Sequence, residues 1–205
     1  DRLAAEWRKV AEQLGLLRRK AAEELAADIT RRMQALGMVG GEFRIALNPQ
    51  ASTELTQQYG AQSVEFQVSA NAGQPPRPLA KVASGGELSR LSLAVQVALA
   101  ARATSDANSA ACMVFDEVDS GVGGAVAEIV GRELATLAHS AQVLCVTHLP
   151  QVAALGTQHL QVRKQSDGKR TQTGIRDLQG ADRVEEIARM LGGVTITDTA
   201  REHAA

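Results

Sequence analysis

The sequence predicts an α/β fold entered through one long helix, and three observations carry that expectation. Apolar residues recur at spacings of three and four from Leu3 to Leu36. Two short apolar runs, Ala111–Phe115 and Gln142–Val146, stand on either side of a helical pattern at about 125–138. A Ser-Gly-Gly turn at 84–86 opens another helical pattern that reaches about Arg102.

Composition bounds what such a fold can do. The 205 residues carry 22 Lys and Arg against 23 Asp and Glu, a net charge of −1, with 44% apolar and 22% charged residues. That allows one complete domain, or one domain plus an appendage, and excludes wholesale disorder. The aromatic residues are Trp7, Phe43, Tyr59, Phe66 and Phe115, so the core is aliphatic and a base-stacking platform for single strands is excluded. The near-neutral balance lacks the footprint of a self-sufficient DNA-binding domain. No run is long and apolar enough for a transmembrane helix, and no signal peptide opens the chain. Cys112 and Cys145 sit in strand-like runs, which reads as buried, reduced thiols of a cytosolic protein. The chain opens at Asp1 without Met and directly in a helical pattern, so a fragment is expected.

The first helix places Leu3, Trp7, Val10, Leu14, Leu17, Ala21, Leu25, Ile29, Met33 and Leu36 in one stripe. Its opening spacing is a heptad seam, and the later run of fours reads as a stutter. Acidic and basic residues fill the flanks, and Gly37, Gly40 and Gly41 supply the stop. Residues 1–37 are therefore expected to form one strand of a coiled coil, with a helix lying on its own domain as the alternative. Arg18-Arg19-Lys20 and Arg31-Arg32 have acidic neighbours and read as a solvated face. Two half-buried strands follow, with Phe43, Ile45 and Leu47 alternating in one and Val64, Phe66 and Val68 in the other.

Ser84 is a natural N-cap, and Gly85 and Gly86 let backbone approach a ligand at a helix start, where exposed N–H groups favour an anion. The run ending at Phe115 is followed by Asp116-Glu117. Buried carboxylates are costly unless they face a cleft and a cation, so four apolar residues before Asp-Glu describe a Walker B strand. In that role Asp116 helps to hold Mg²⁺ and Glu117 orients or deprotonates water. A solvated strand-end pair is the alternative. Asp119 opens the glycine-rich loop 119–124, and the strand Gln142–Val146 ends in Thr147-His148. His148 thus stands at the carboxyl edge of a strand, where ligands bind in open α/β sheets. His139, His159 and His203 show no partner pattern.

These motifs in this order resemble the carboxyl-terminal lobe of an ABC-type ATPase head, as in the SMC-like DNA-repair ATPases. The residues carrying the resemblance are Lys81–Arg90, Phe115–Gly124, Cys145–Ala153 and Ile187–Gly193. Ala83 stands in the signature motif where many members have Leu. The resemblance covers essentially the whole chain and implies a mostly parallel sheet flanked by helices over 38–205, with 1–37 as the returning strand of an antiparallel coiled coil. It further implies ATP as substrate, Mg²⁺ as cofactor and two heads sandwiching two nucleotides. Ser84, Gly85, Gly86 and Glu87 would serve the nucleotide of the opposite head, Asp119 the dimer seam, Asp116 the metal, and Glu117 and His148 catalysis. No G-x-x-x-x-G-K-[ST] occurs in the 205 residues. In such families the P-loop and Q-loop glutamine lie in an amino-terminal lobe, so that lobe, a second head and DNA are the implied partners, without a membrane. The implied role is double-strand-break repair in the bacterial cytoplasm. A chromosome-organising SMC head, a transporter's nucleotide-binding subunit and a non-catalytic dimerisation module are the alternatives.

Overall fold

A computed structural model describes residues 2–50, 59–81, 85–102, 112–166, 171–192, 201, 202 and 204, without the side chains of 165, 166 and 171. The chain divides into two units, Asp1–Ala107 and Asn108–Ala205.

In the first unit, helix α1 runs unbroken from Arg2 to Ala35. Its apolar stripe does two different things. Ile29 and Met33 are buried with Leu36, whereas Leu3, Val10 and Leu17 are 79%, 61% and 68% exposed. The helix ends in a Schellman turn: Met38 N–H donates to Met33 O at 3.0 Å and Gly37 N–H to Gln34 O at 3.2 Å. Gly37 takes φ +88°, which a Cβ would oppose, and both Met33 and Met38 are buried.

Strands β1 (Glu42–Pro49) and β2 (Gln62–Ser69) then pair antiparallel, with Phe43 opposite Val68 and Ile45 opposite Phe66. The Thr30 hydroxyl of α1 accepts the Phe43 N–H at 2.9 Å, fixing where the sheet starts on the helix. A short β3 (Arg77–Pro78) extends the sheet on β2, and a 3₁₀ turn at Leu79–Lys81 follows. Helix α2 spans Gly85–Ala100 and buries Leu91, Leu93, Ala94, Val97 and Ala98.

One ionic cluster joins the two helices of this unit. Asp28, buried on α1, receives Arg102 at 2.8 Å from just past the end of α2, with Arg31 at 3.2 Å and Arg32 at 3.4 Å. Burial alone would raise the Asp28 pKa. The Arg102 hydrogen bond and the charges of Arg32, Arg102 and Arg31 together outweigh it and hold the carboxyl below its ordinary 3.8.

In the second unit, β4 (Cys112–Phe115) pairs parallel with β5 (Gln142–Cys145) across helix α3 (Gly124–Leu137). Parallel pairing among the described strands is confined to this pair; the rest of the sheet structure is antiparallel. Helix α4 (Pro150–Ala154), which the apolar spacing does not announce, packs on α3 at Gly131, where an added Cβ would stand 2.7 Å from Leu155 Cδ1. Strands β6 (His159–Ser166) and β7 (Thr171–Leu178) pair antiparallel, and the segment around Gly168-Lys169 between them lies outside the described residues. Helix α5 (Gly180–Gly192) buries Ile187 and Ala188, while Leu191, which shares their periodicity, is exposed. Arg183 of α5 donates to the carbonyls of Ala153, Ala154 and Gly156, satisfying the end of α4.

Asp28→Ala is expected to destabilise the protein by about 2 kcal/mol, the scale of a charge-assisted hydrogen bond lost from a buried site. The folded-state pKa of Asp28 is depressed, so its contribution is present above the ordinary value of 3.8 and fades as pH falls through the lower folded value. Urea titrations of both proteins should therefore differ at pH 7 and converge in strong acid. Equal midpoints at pH 7 would mean that the cluster contributes nothing.

Candidate functional site

Parallel pairing decides which residues meet. Phe115 stands opposite Cys145, and the ladder continues one step further as Val146 N–H donates to Phe115 O at 2.9 Å. Both strands therefore end at the same level, and Asp116-Glu117 leave the sheet beside Val146-Thr147-His148. This carboxyl edge is where open α/β sheets bind ligands.

The turn after β4 is held by Ser120 N–H donating to Glu117 O at 3.0 Å. Glu117 takes φ +58°, the only positive φ at a non-glycine among the described residues. A left-handed Glu is disfavoured by about 1–2 kcal/mol, and such strain persists where the surroundings enforce it, often at functional sites. Asp116 and Glu117 are both exposed.

Asp119 is placed differently. Its residue is 2% exposed, and Oδ2 accepts from the Thr147 hydroxyl at 2.5 Å and from the His148 N–H at 3.1 Å. His148 Nδ1 lies 3.4 Å from the same oxygen, and the His148 side chain is 72% exposed. Thr147 Oγ1 in turn accepts from Leu149 N–H at 3.0 Å, which completes a small hydrogen-bonded knot at the end of β5. Thr147 carries this knot together with Asp119, yet periodicity marks neither as connected. A short hydroxyl residue beside a strand-end His was the available signal.

The second unit thus gathers Asp116, Glu117, Asp119 and His148 around two strand ends. Gly85, Gly86 and Glu87 lie in the first unit, at the start of α2, with Gly85 exposed. Ser84 falls outside the described residues. Arg90, one turn along α2, is buried, and burial draws its guanidinium pKa down against the opposing charge of Glu87.

Among the described residues no three His, Cys, Asp or Glu side chains form a metal-holding group. That does not conflict with magnesium, which typically keeps several waters and takes one or two carboxylates plus substrate phosphates. The exposed Asp116 carboxylate at the strand end fits that pattern. Cys145 lies beside the site without reactive character: burial, helped by the charges of Asp119 and Asp116, pushes its thiol up to about 12. No helix among the described residues is long and apolar enough to cross a membrane.

Comparison with known proteins places this geometry in context. No protein-family model matches the chain. It is 50% identical over 199 residues to the DNA repair protein RecN of Xylella fastidiosa strain 9a5c, covering 97% of this chain and 34% of that protein. The RecN of Streptomyces coelicolor is 43% identical over 213 residues, covering 100% of this chain and 36% of that protein. The chain thus spans about a third of the length of the curated relatives it matches. Among solved structures, an Smc head domain with a coiled coil and joint from Pyrococcus yayanosii superposes with a TM-score of 0.56 at 19% identity. That match covers 83% of this chain and 29% of the other. An Smc head domain with an extended coiled coil from Pyrococcus furiosus, bound to the C-terminal domain of ScpA, gives 0.55 at 19% identity, over 88% and 39% of the two chains. At that identity the likeness speaks to fold, and the fold is that of an SMC head: mixed α/β with a long leading helix.

The two cysteines should separate chemically. Cys112 is exposed, whereas Cys145 is partly buried and held as a neutral thiol far above physiological pH. Iodoacetamide at pH 8, followed by peptide mass spectrometry, should label Cys112 well before Cys145. Equal labelling rates in the folded protein would contradict this account of the strand end.

Proposed function

The chain matches the carboxyl-terminal part of the RecN family, and on that premise we propose that it is half of the ATPase head of a bacterial DNA repair protein. The observation carrying the reading is the meeting of Asp116, Glu117, Asp119 and His148 at the carboxyl ends of two parallel strands. Residues 1–37 serve as the returning arm of an antiparallel coiled coil, and 38–205 as the carboxyl-terminal lobe.

Two exposed apolar surfaces support that division. Leu3, Val10 and Leu17 line α1 without cover, as a seam awaiting a partner helix would. On the sheet, Cys112, Val114, Leu144 and Val146 share one open face, with Val114 66% exposed. Parallel strands are ordinarily covered on both faces. An amino-terminal lobe bearing the P-loop and the Q-loop glutamine suits that face.

With ATP held by that lobe, the strand ends supply the chemistry. Asp116 would hold Mg²⁺, in part through water, and the ion would neutralise charge on the phosphates. Glu117 orients the attacking water and accepts its proton, and its left-handed backbone sets the direction in which the side chain leaves β4. His148 contacts the terminal phosphate from the end of β5. A second head presents Ser84, Gly85, Gly86 and Glu87 at the amino end of its α2, where N–H groups and the helix dipole favour phosphate. The loop beginning at Asp119 runs along the seam between heads. ATP binding joins the heads and hydrolysis releases them, and the arms convert that cycle into tethering or movement of DNA in the cytoplasm. These are positioning and electrostatic roles, as phosphoryl transfer requires.

In the full-length protein, Glu117→Gln is expected to leave ATP binding intact and to slow hydrolysis by about 10²-fold or more, the usual contribution of a general base. Unchanged turnover would remove Glu117 from the reaction. The 205-residue chain alone should show negligible ATPase, restored by adding the amino-terminal lobe. Robust turnover by the chain alone would defeat the half-head reading.

A further inference from the structure

We propose that Asp119 is a positioning residue for His148 of its own chain, a role that rests on the nucleotide-site reading above. In the arrangement implied by family resemblance, Asp119 belongs to a seam between heads and would act outward. Its side chain does not have that setting. Asp119 is 2% exposed in a loop whose neighbours Glu117, Ser120 and Gly121 are exposed.

A carboxylate taken out of water must be compensated by donors or by charge. The described residues offer Asp119 one segment, Thr147-His148, and that segment supplies everything. The Thr147 hydroxyl and the His148 N–H both donate to Oδ2, and the His148 ring nitrogen Nδ1 lies 3.4 Å from the same oxygen. One oxygen therefore grips the hydroxyl, the peptide and the ring of two consecutive residues. The Nδ1 contact is longer than a good hydrogen bond, and contacts of this kind commonly tighten when a site is filled.

The chemical consequence concerns the ring. A carboxylate facing Nδ1 keeps a proton there and fixes the ring plane, in the way a second group fixes the tautomer of a ligating or catalytic histidine. Nε2 is then the nitrogen left to the exposed side, for the terminal phosphate. Asp119 thus links the turn after β4, which carries Glu117, to the loop after β5, which carries His148. Displacement of one loop pulls on the other through a single side chain.

The test uses the full-length protein with Asp119→Asn, Asp119→Ala, His148→Ala and the Asp119→Asn/His148→Ala double variant. Asp119→Asn retains an acceptor for Thr147 and the His148 peptide, so it preserves the fold if Asp119→Ala does not; circular dichroism checks both. Each single variant should lose about 10-fold or more in ATP turnover, as expected of misplaced reacting groups. The double variant should fall no lower than the weaker single variant, because Asp119 acts through His148. Losses that multiply in the double variant would overturn the proposal and assign Asp119 to the seam.

The second readout is the ring itself, by ¹⁵N-histidine NMR with His148 identified from the His148→Ala spectrum. Protonated Nδ1 is expected in the parent protein, with the proton moving toward Nε2 in the best-folded Asp119 variant. Ring shifts unchanged by that substitution would overturn the proposal. A parent protein without ATPase activity but with an Asp119-dependent ring would defeat the nucleotide-site reading alone and leave the Asp119–His148 pairing standing.

Discussion

The register between β4 and β5 is the constraint on which the site depends. Pairing Phe115 with Cys145, and carrying the ladder on through Val146 N–H to Phe115 O, makes two strands end together. A shift of one residue would reverse the facing of every side chain along the moved strand. It would also carry Thr147 and His148 away from Asp119. The left-handed turn at Glu117 and the buried Asp119 carboxylate both follow from this common ending: the chain must leave the sheet sharply and needs something to hold at the neighbouring strand. Helix α3 closes the strand–helix–strand unit, and Gly131 lets α4 approach closely enough to anchor the segment just beyond His148.

A separate constraint organises the first unit. Asp28 draws Arg102, Arg31 and Arg32 to one buried carboxylate, so the far end of α2 is tied to α1 by charge as well as by aliphatic packing. The Thr30 hydroxyl does the same for the start of β1. Helix α1 is consequently well anchored in its carboxyl half, whereas its amino half buries Ala11 and Gly15 but leaves Leu3, Val10 and Leu17 exposed. That contrast fits the arm proposed for α1, with a fixed base and an apolar stripe open along its shaft.

Much of this was legible from spacing. The 3–4 pattern locates α1 to within two residues, the apolar runs locate β4 and β5, and alternation locates β1 and β2. Helix α4 was missed because five residues span little more than one turn, too short to show a period, and only Pro150 at its first position marks it. Leu191 shares the period of Ile187 and Ala188 but stands at the end of α5 and is exposed, a difference that periodicity cannot show. The stripe along α1 has the spacing of one seam, yet it divides between a buried and an exposed part, which periodicity has no means to distinguish.

What the sequence determined by itself was the order and chemistry of the parts: a glycine turn before a helix, an acidic pair after one strand and a histidine after the next. Local patterning suffices there, because each motif lies within a few residues and carries its own backbone and charge signature. Tertiary structure alone decided how those parts engage. Asp119 and His148 are 29 residues apart in sequence, and only parallel strand pairing brings that carboxylate under that ring. Burial then determines its partner, since a carboxylate removed from water must take the donors within reach, and here those donors are Thr147 and His148.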